Sequence, residues 1–84
     1  MYPLPFMMPL VTVAPLSPRQ RDVLRHVARD LTDGQIAKAM GISRHTVNAH
    51  LRKAFTKLRT TSRLQAVLRA VKQGELSLDE VIAA

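Results

Sequence analysis

Apolar positions recur every three or four residues in four separate stretches of this chain, and each stretch opens on a residue that suits a helix cap. In "LSPRQRDVL", Ser17 caps, Pro18 suits the first helical position, and Gln20 closes a capping box three residues after the serine. Val23, Leu24, Val27 and Leu31 then share one face, with Arg21, Arg25 and Arg29 on the other. "LTDGQIAKAMG" repeats the pattern: Thr32 caps, Gln35 closes the box, Ile36, Ala37 and Met40 face inward, and Gly41 ends the helix. Ser43 caps a third helix, predicted from Arg44 to about Leu58. Ser62 with Gln65 opens a fourth, ended by Gly74, and Ser77 with Glu80 opens a short fifth that exposes Leu78, Val81 and Ile82. The only alternating run, "LVTVA", has no partner strand, so the chain is expected to be all-α.

The second and third helices are separated only by Gly41, Ile42 and Ser43. A turn this short, with glycine first and an apolar residue inside it, makes the two helices cross steeply in a helix-turn-helix. On a helical wheel Val47, Leu51, Ala54, Phe55 and Leu58 form one apolar stripe. Opposite it lie His45, Asn48, Ala49, Arg52, Lys53 and Thr56. Such a face suits the major groove of duplex DNA. Asparagine pairs with the adenine edge, arginine with guanine, and an alanine methyl can touch a thymine methyl. Ser43, Arg44 and Thr46 sit at the positive end of the helix, where phosphate is favoured.

Charge strengthens this expectation. Residues 34–74 hold nine Lys/Arg and no Asp or Glu, whereas residues 75–84 hold three acids and no base. Forty-one residues without a carboxylate point to a polyanionic partner. Cysteine is absent, which excludes disulfides and thiolate chemistry and fits a cytoplasmic protein. Three aromatic residues are too few to stack single-stranded bases. Residues 1–15, "MYPLPFMMPLVTVAP", form an apolar, proline-rich arm without the basic leader of a signal peptide and too short to span a membrane. The arm is expected to lie extended. The folded domain is assigned to residues 16–74 and a short C-terminal extension to residues 75–84.

From Leu16 to about Ala70 the chain resembles the LuxR-type (LuxR/FixJ/GerE) helix-turn-helix domain of bacterial regulators. The resemblance is carried by "LSPRQRDVL", "LTDGQIAKAMGIS", "HTVNAHLRKAFTKL" and "SRLQAVLRA". It implies a four-helix domain that reads double-stranded DNA with its third helix and pairs as a homodimer through its fourth. Carried over residue by residue, it places base reading on Asn48, Ala49 and Arg52, to which the wheel adds His45. Phosphate contacts fall on Ser43, Arg44 and Thr46 and on the nearby lysines Lys38, Lys53 and Lys57. The family usually has glycine where this chain has Asp30 and Arg59, since glycine supplies a left-handed helix end. Aspartate tolerates that conformation, but arginine loses about 1–2 kcal/mol in it. The third helix is therefore expected to run past Leu58 or to end on a strained Arg59. Position 48 is often basic in the family, so Asn48 implies a different base preference.

In the fourth helix, residues 63–73, Leu64, Val67, Leu68 and Val71 are expected to form the core stripe. Ala66 and Ala70 widen the apolar arc to about 200°, beyond the roughly 100° that one core needs. They are therefore assigned to the dimer interface with Arg69 and Gln73. The chain is expected to be a stand-alone regulator of the GerE kind rather than a piece of a longer one, with another regulator or RNA polymerase as a further partner. Two alternatives stand beside this reading: a decoy or anti-activator that pairs with a full-length regulator, and a module like region four of a sigma factor. The histidines and aspartates are too scattered for a metal site or for general acid–base catalysis. No enzyme activity, cofactor or metal is expected.

Overall fold

The computed structural model describes residues 15–82, and apart from Pro15 the N-terminal arm lies outside these residues, so its expected extended form does too. Five helices follow in order: α1 (Pro18–Ala28), α2 (Asp33–Met40), α3 (Arg44–Leu58), α4 (Arg63–Lys72) and α5 (Leu78–Ile82). The described residues contain no strand, and the fold is all-α. No described helix is long and apolar enough to cross a membrane.

The helix starts follow the capping grammar. Ser17 with Gln20, and Thr32 with Gln35, make complete reciprocal boxes, and Ser77 with Glu80 makes a third at the start of α5. At α4 the box is half made: Ser62 Oγ accepts from the Gln65 N–H, while the Ser62 N–H turns to Thr60 Oγ1. The first four helices also end alike. Each closes through a residue at positive φ, namely Asp30, Gly41, Arg59 and Gly74. In each case the next N–H reaches back five residues to a carbonyl, as from Leu31 to His26 and from Thr60 to Phe55. Helix α3 therefore stops at Leu58, and Arg59 takes the left-handed conformation, φ 58°, ψ 46°. Of the two outcomes expected at this position, the strained arginine is the one the chain adopts.

The core is a single cluster built by α1 to α4, and α5 packs only the half-buried Val81 against it. Val23 and Leu24 of α1, Ile36 of α2, and Val47, Leu51, Ala54 and Leu58 of α3 are all buried. Helix α3 packs against α1, α2 and α4, so its apolar stripe is the centre of the domain. Two leucines from outside the main helices complete the core: Leu16, before α1, and Leu76, between α4 and α5. Leu76 belongs to the stretch read from sequence as a C-terminal extension. Here that stretch is tied to the domain: Glu75 accepts from the Leu16 N–H at 3.0 Å and pairs with Arg21, and Glu80 pairs with Arg25.

Helix α4 corrects the sequence reading. Ala66 and Ala70 are fully buried and Val67 nearly so, whereas Leu64 is 67% and Leu68 50% exposed. The helix is turned by about a quarter of its circumference from the expected stripe. Alanine methyls let α4 lie close against α1 and α3, and the larger leucines are left outside. Ala66 and Ala70 therefore cannot form a subunit interface, because no surface of either is available.

Candidate nucleic-acid interface

Helix α2 ends at Met40, Gly41 turns the chain at φ 67°, and Ser43 starts α3 by accepting from the Thr46 N–H at 3.0 Å. Ile42 packs half-buried between the two helices. With one side of α3 held in the core, the other is fixed outward. His45, Asn48, Ala49, Arg52 and Lys53 are all exposed. They form one continuous strip, as the wheel predicts, with Asn48 and Arg52 one turn apart.

The helix start adds two polar groups and a cation. The Ser43 and Thr46 hydroxyls are hydrogen-bonded to each other at 2.9 Å, and Thr46 is half-buried. Arg44 is exposed, and its guanidinium lies over Gly34, with Nε 3.5 Å from where a Cβ would stand. Lys38, on α2, is exposed beside this turn. Lys57 differs. Its ammonium donates to the Pro15 carbonyl and to Gln20 Oε1, both at 3.0 Å, and the residue is half-buried. Two of its three donors are used inside the chain, so it is the least available of the lysines assigned to phosphate.

Arg52 lies between two hollows. One is lined by Asn48, Thr56, Arg59, Thr60 and Thr61, the other by Lys53, Lys57 and Gln20. Sequence reasoning did not assign Arg59, Thr60 and Thr61 to the site. The signal was there: Arg59 follows Thr56 by three and Arg52 by seven, which keeps it on the same side of the helix. Of the residues assigned to subunit pairing, Arg69 and Gln73 lie on the exposed side of α4, and Arg69 also donates to the Leu58 carbonyl at 3.3 Å.

The electrostatics favour an anion on this side. Asp22, Asp33, Glu75 and Glu80 are each paired with an arginine, namely Arg25, Arg63, Arg21 and again Arg25. Among the described residues no carboxylate pairs with Lys38, Arg44, Arg52, Lys53 or Arg59. Glu80 is held below its ordinary pKa by the Ser77 backbone N–H and then by Arg25. No group of three or more His, Cys, Asp or Glu converges among the described residues.

Known proteins share this sequence pattern, and one solved structure shares the architecture. The chain is 41% identical over 66 residues to the HTH-type quorum sensing-dependent transcriptional regulator VjbR of Brucella ovis, covering 79% of this chain and 26% of that protein. It is 36% identical over 61 residues to the transcriptional activator protein AnoR of Acinetobacter nosocomialis, covering 73% of this chain and 26% of that one. It thus spans about a quarter of the length of either relative. The solved structure of the transcription factor GerE superposes with a TM-score of 0.70 at 36% identity, covering 76% of this chain and 96% of GerE. The GerE family model, described as bacterial regulatory proteins of the luxR family, matches residues 14–70. The chain belongs to the luxR family of bacterial regulatory proteins.

Proposed function

We propose that this chain is a non-enzymatic, cytoplasmic transcription regulator that binds specific sites on duplex DNA, with α3 in the major groove. The observation that carries the reading is the division of α3. Val47, Leu51, Ala54 and Leu58 are buried, while Asn48, Ala49, Arg52 and Lys53 stand exposed, and no carboxylate among the described residues pairs with Arg52 or Lys53. Arg52 is assigned to a guanine and Asn48 to an adenine, with Ala49 and His45 beside them. Ser43, Arg44, Thr46, Lys38 and Lys53 are assigned to the flanking phosphates.

A single helix reads few base pairs, and helix-turn-helix proteins commonly read two half-sites as a dimer. The outer side of α4 offers the surface for a second copy. Leu64 and Leu68 are exposed there one turn apart, and Gln65, Arg69, Lys72 and Gln73 line a hollow beside Leu68. A homodimer through these residues would replace the pairing through Ala66 and Ala70.

Selection of bound sequences from a random duplex pool tests the whole reading. The expected product is a two-fold symmetric site, bound with an affinity that falls steeply with salt. Unrelated recovered sequences bound without salt dependence would refute DNA reading and favour a decoy that acts only by pairing with another regulator.

A further inference from the structure

Arg59 is the one feature of the interface whose conformation works against its residue type. It sits at φ 58°, ψ 46°, a region that Cβ sterics disfavour and that glycine enters freely. The equivalent closures of α2 and α4 use Gly41 and Gly74, and that of α1 uses Asp30, whose short polar side chain tolerates the conformation. The closure of α3 alone uses a long cation. A residue held against its backbone preference is a reason to look for a role that offsets the cost.

Its surroundings indicate which role. Between Lys57 and Arg69 the chain has four cations, and three are engaged internally. Lys57 is held by Pro15 and Gln20, Arg63 by Asp33, and Arg69 by the Leu58 carbonyl. Arg59 is exposed and pairs with no carboxylate among the described residues. It also lines the same hollow as Asn48, Arg52 and Thr56. Along the helix, seven residues separate Arg52 from Arg59, a rise of about 10 Å. That is more than the roughly 6 Å between the middle of a major groove about 12 Å wide and its wall. With Arg52 at the base edges, Arg59 falls at the groove wall, where the available partner is a phosphodiester.

We propose that Arg59 is a DNA-backbone clamp at the C-terminal end of the reading helix, and that its left-handed conformation is kept for that contact. The proposal rests on α3 reading the major groove. It adds a phosphate contact at the opposite end of the helix from Ser43 and Arg44. The reading helix would then be fixed at both ends, with Arg52 between them.

The test compares Arg59→Gly, Arg59→Lys, Arg29→Ala and Arg52→Ala for stability and for binding to specific and random duplexes across a salt series. Arg59→Gly should raise the denaturation midpoint and yet weaken binding to every duplex several-fold. It should also flatten the slope of log affinity against log salt by about one. Arg59→Lys should keep most of the slope. Arg29→Ala removes a charge from an exposed residue at the end of α1 and should change binding far less. Wild-type affinity in Arg59→Gly, or a loss no larger than that of Arg29→Ala, overturns the clamp. If Arg52→Ala still impairs binding in that case, the groove reading survives and only the clamp is lost. If neither wild-type salt dependence nor an effect of Arg52→Ala is seen, both fall. A lower midpoint in Arg59→Gly would also overturn the proposal, because the strain it assumes would not exist.

Discussion

Replacing Ala70 with glutamate distinguishes the two sides of α4. Ala70 is 0% exposed, whereas Leu68, two residues earlier, is 50% exposed. A glutamate at 70 forces a larger side chain into filled space, which costs about 1–3 kcal/mol by overpacking. It also brings a carboxylate that no buried partner neutralises, worth several kcal/mol more. At roughly 0.05–0.15 kcal/mol per residue, a chain of 84 residues has about 4–13 kcal/mol of total stability. Ala70→Glu should therefore leave the domain largely unfolded at neutral pH. Burial raises the pKa of such a carboxyl, so the remaining stability is greatest below its unfolded value of about 4.3 and is lost as the pH rises through the folded one.

Leu68→Glu places the same charge on the surface and should change stability by no more than about 0.5 kcal/mol. Its effect should appear in association instead: a shift to monomer in sedimentation, and weaker binding to a paired site than to a half-site. Thermal melts followed by circular dichroism, with sedimentation velocity on whatever folds, separate the two outcomes. If Ala70→Glu melts like the wild type and sediments as a monomer while Leu68→Glu stays dimeric, α4 faces the other way and the assignment of its core side is refuted.

Leu76→Ala should destabilise by about 2–5 kcal/mol, because Leu76 is 2% exposed in the core. Leu78→Ala, at a residue 59% exposed, should have little effect, and equal denaturation midpoints for the two variants would show that the chain beyond Gly74 is not part of the core. The Glu80 carboxyl is held below its ordinary value of 4.5, first by the Ser77 N–H and then by Arg25. The stability this gives at neutral pH is lost as the pH falls through the folded value. Arg25→Gln should move the Glu80 midpoint up in an NMR titration, and an unchanged midpoint would remove Arg25 as a cause.

Much of this architecture is legible in the residues because its determinants are local. Ser17 with Gln20 and Thr32 with Gln35 fix two helix starts within four residues, and Gly41 fixes the turn between α2 and α3. The outward side of α3 follows from Val47, Leu51, Ala54 and Leu58 claiming the other. Helix α4 was ambiguous because it is apolar over too wide an arc. Leu64 and Leu68 compete with Ala66 and Ala70 for the core, and hydrophobicity alone favours the leucines. The packing of Ala66, Val67 and Ala70 against α1 and α3 decides otherwise and is a tertiary property. Leu76 stands beyond a glycine without a periodic neighbour, so nothing marked it as core. The engagement of Lys57 was equally hidden, since its partner Gln20 lies 37 residues away. At Arg59 the residue type and the helix-closing pattern disagreed, and only the backbone shows that the pattern prevails.

The most direct measurement of the central claim is binding of the wild type, Arg52→Ala, Lys53→Ala and Asn48→Ala to a panel of single-base operator variants at two salt concentrations. Arg52→Ala should cost about 1–3 kcal/mol at the preferred site and relax the choice at one base pair, with non-specific binding reduced much less. Asn48→Ala should relax a second position close by. Lys53→Ala should weaken all duplexes alike and flatten the salt dependence by about one unit of slope. If Arg52→Ala instead lowers binding to every variant equally, Arg52 is only a phosphate contact and α3 does not read bases through this side.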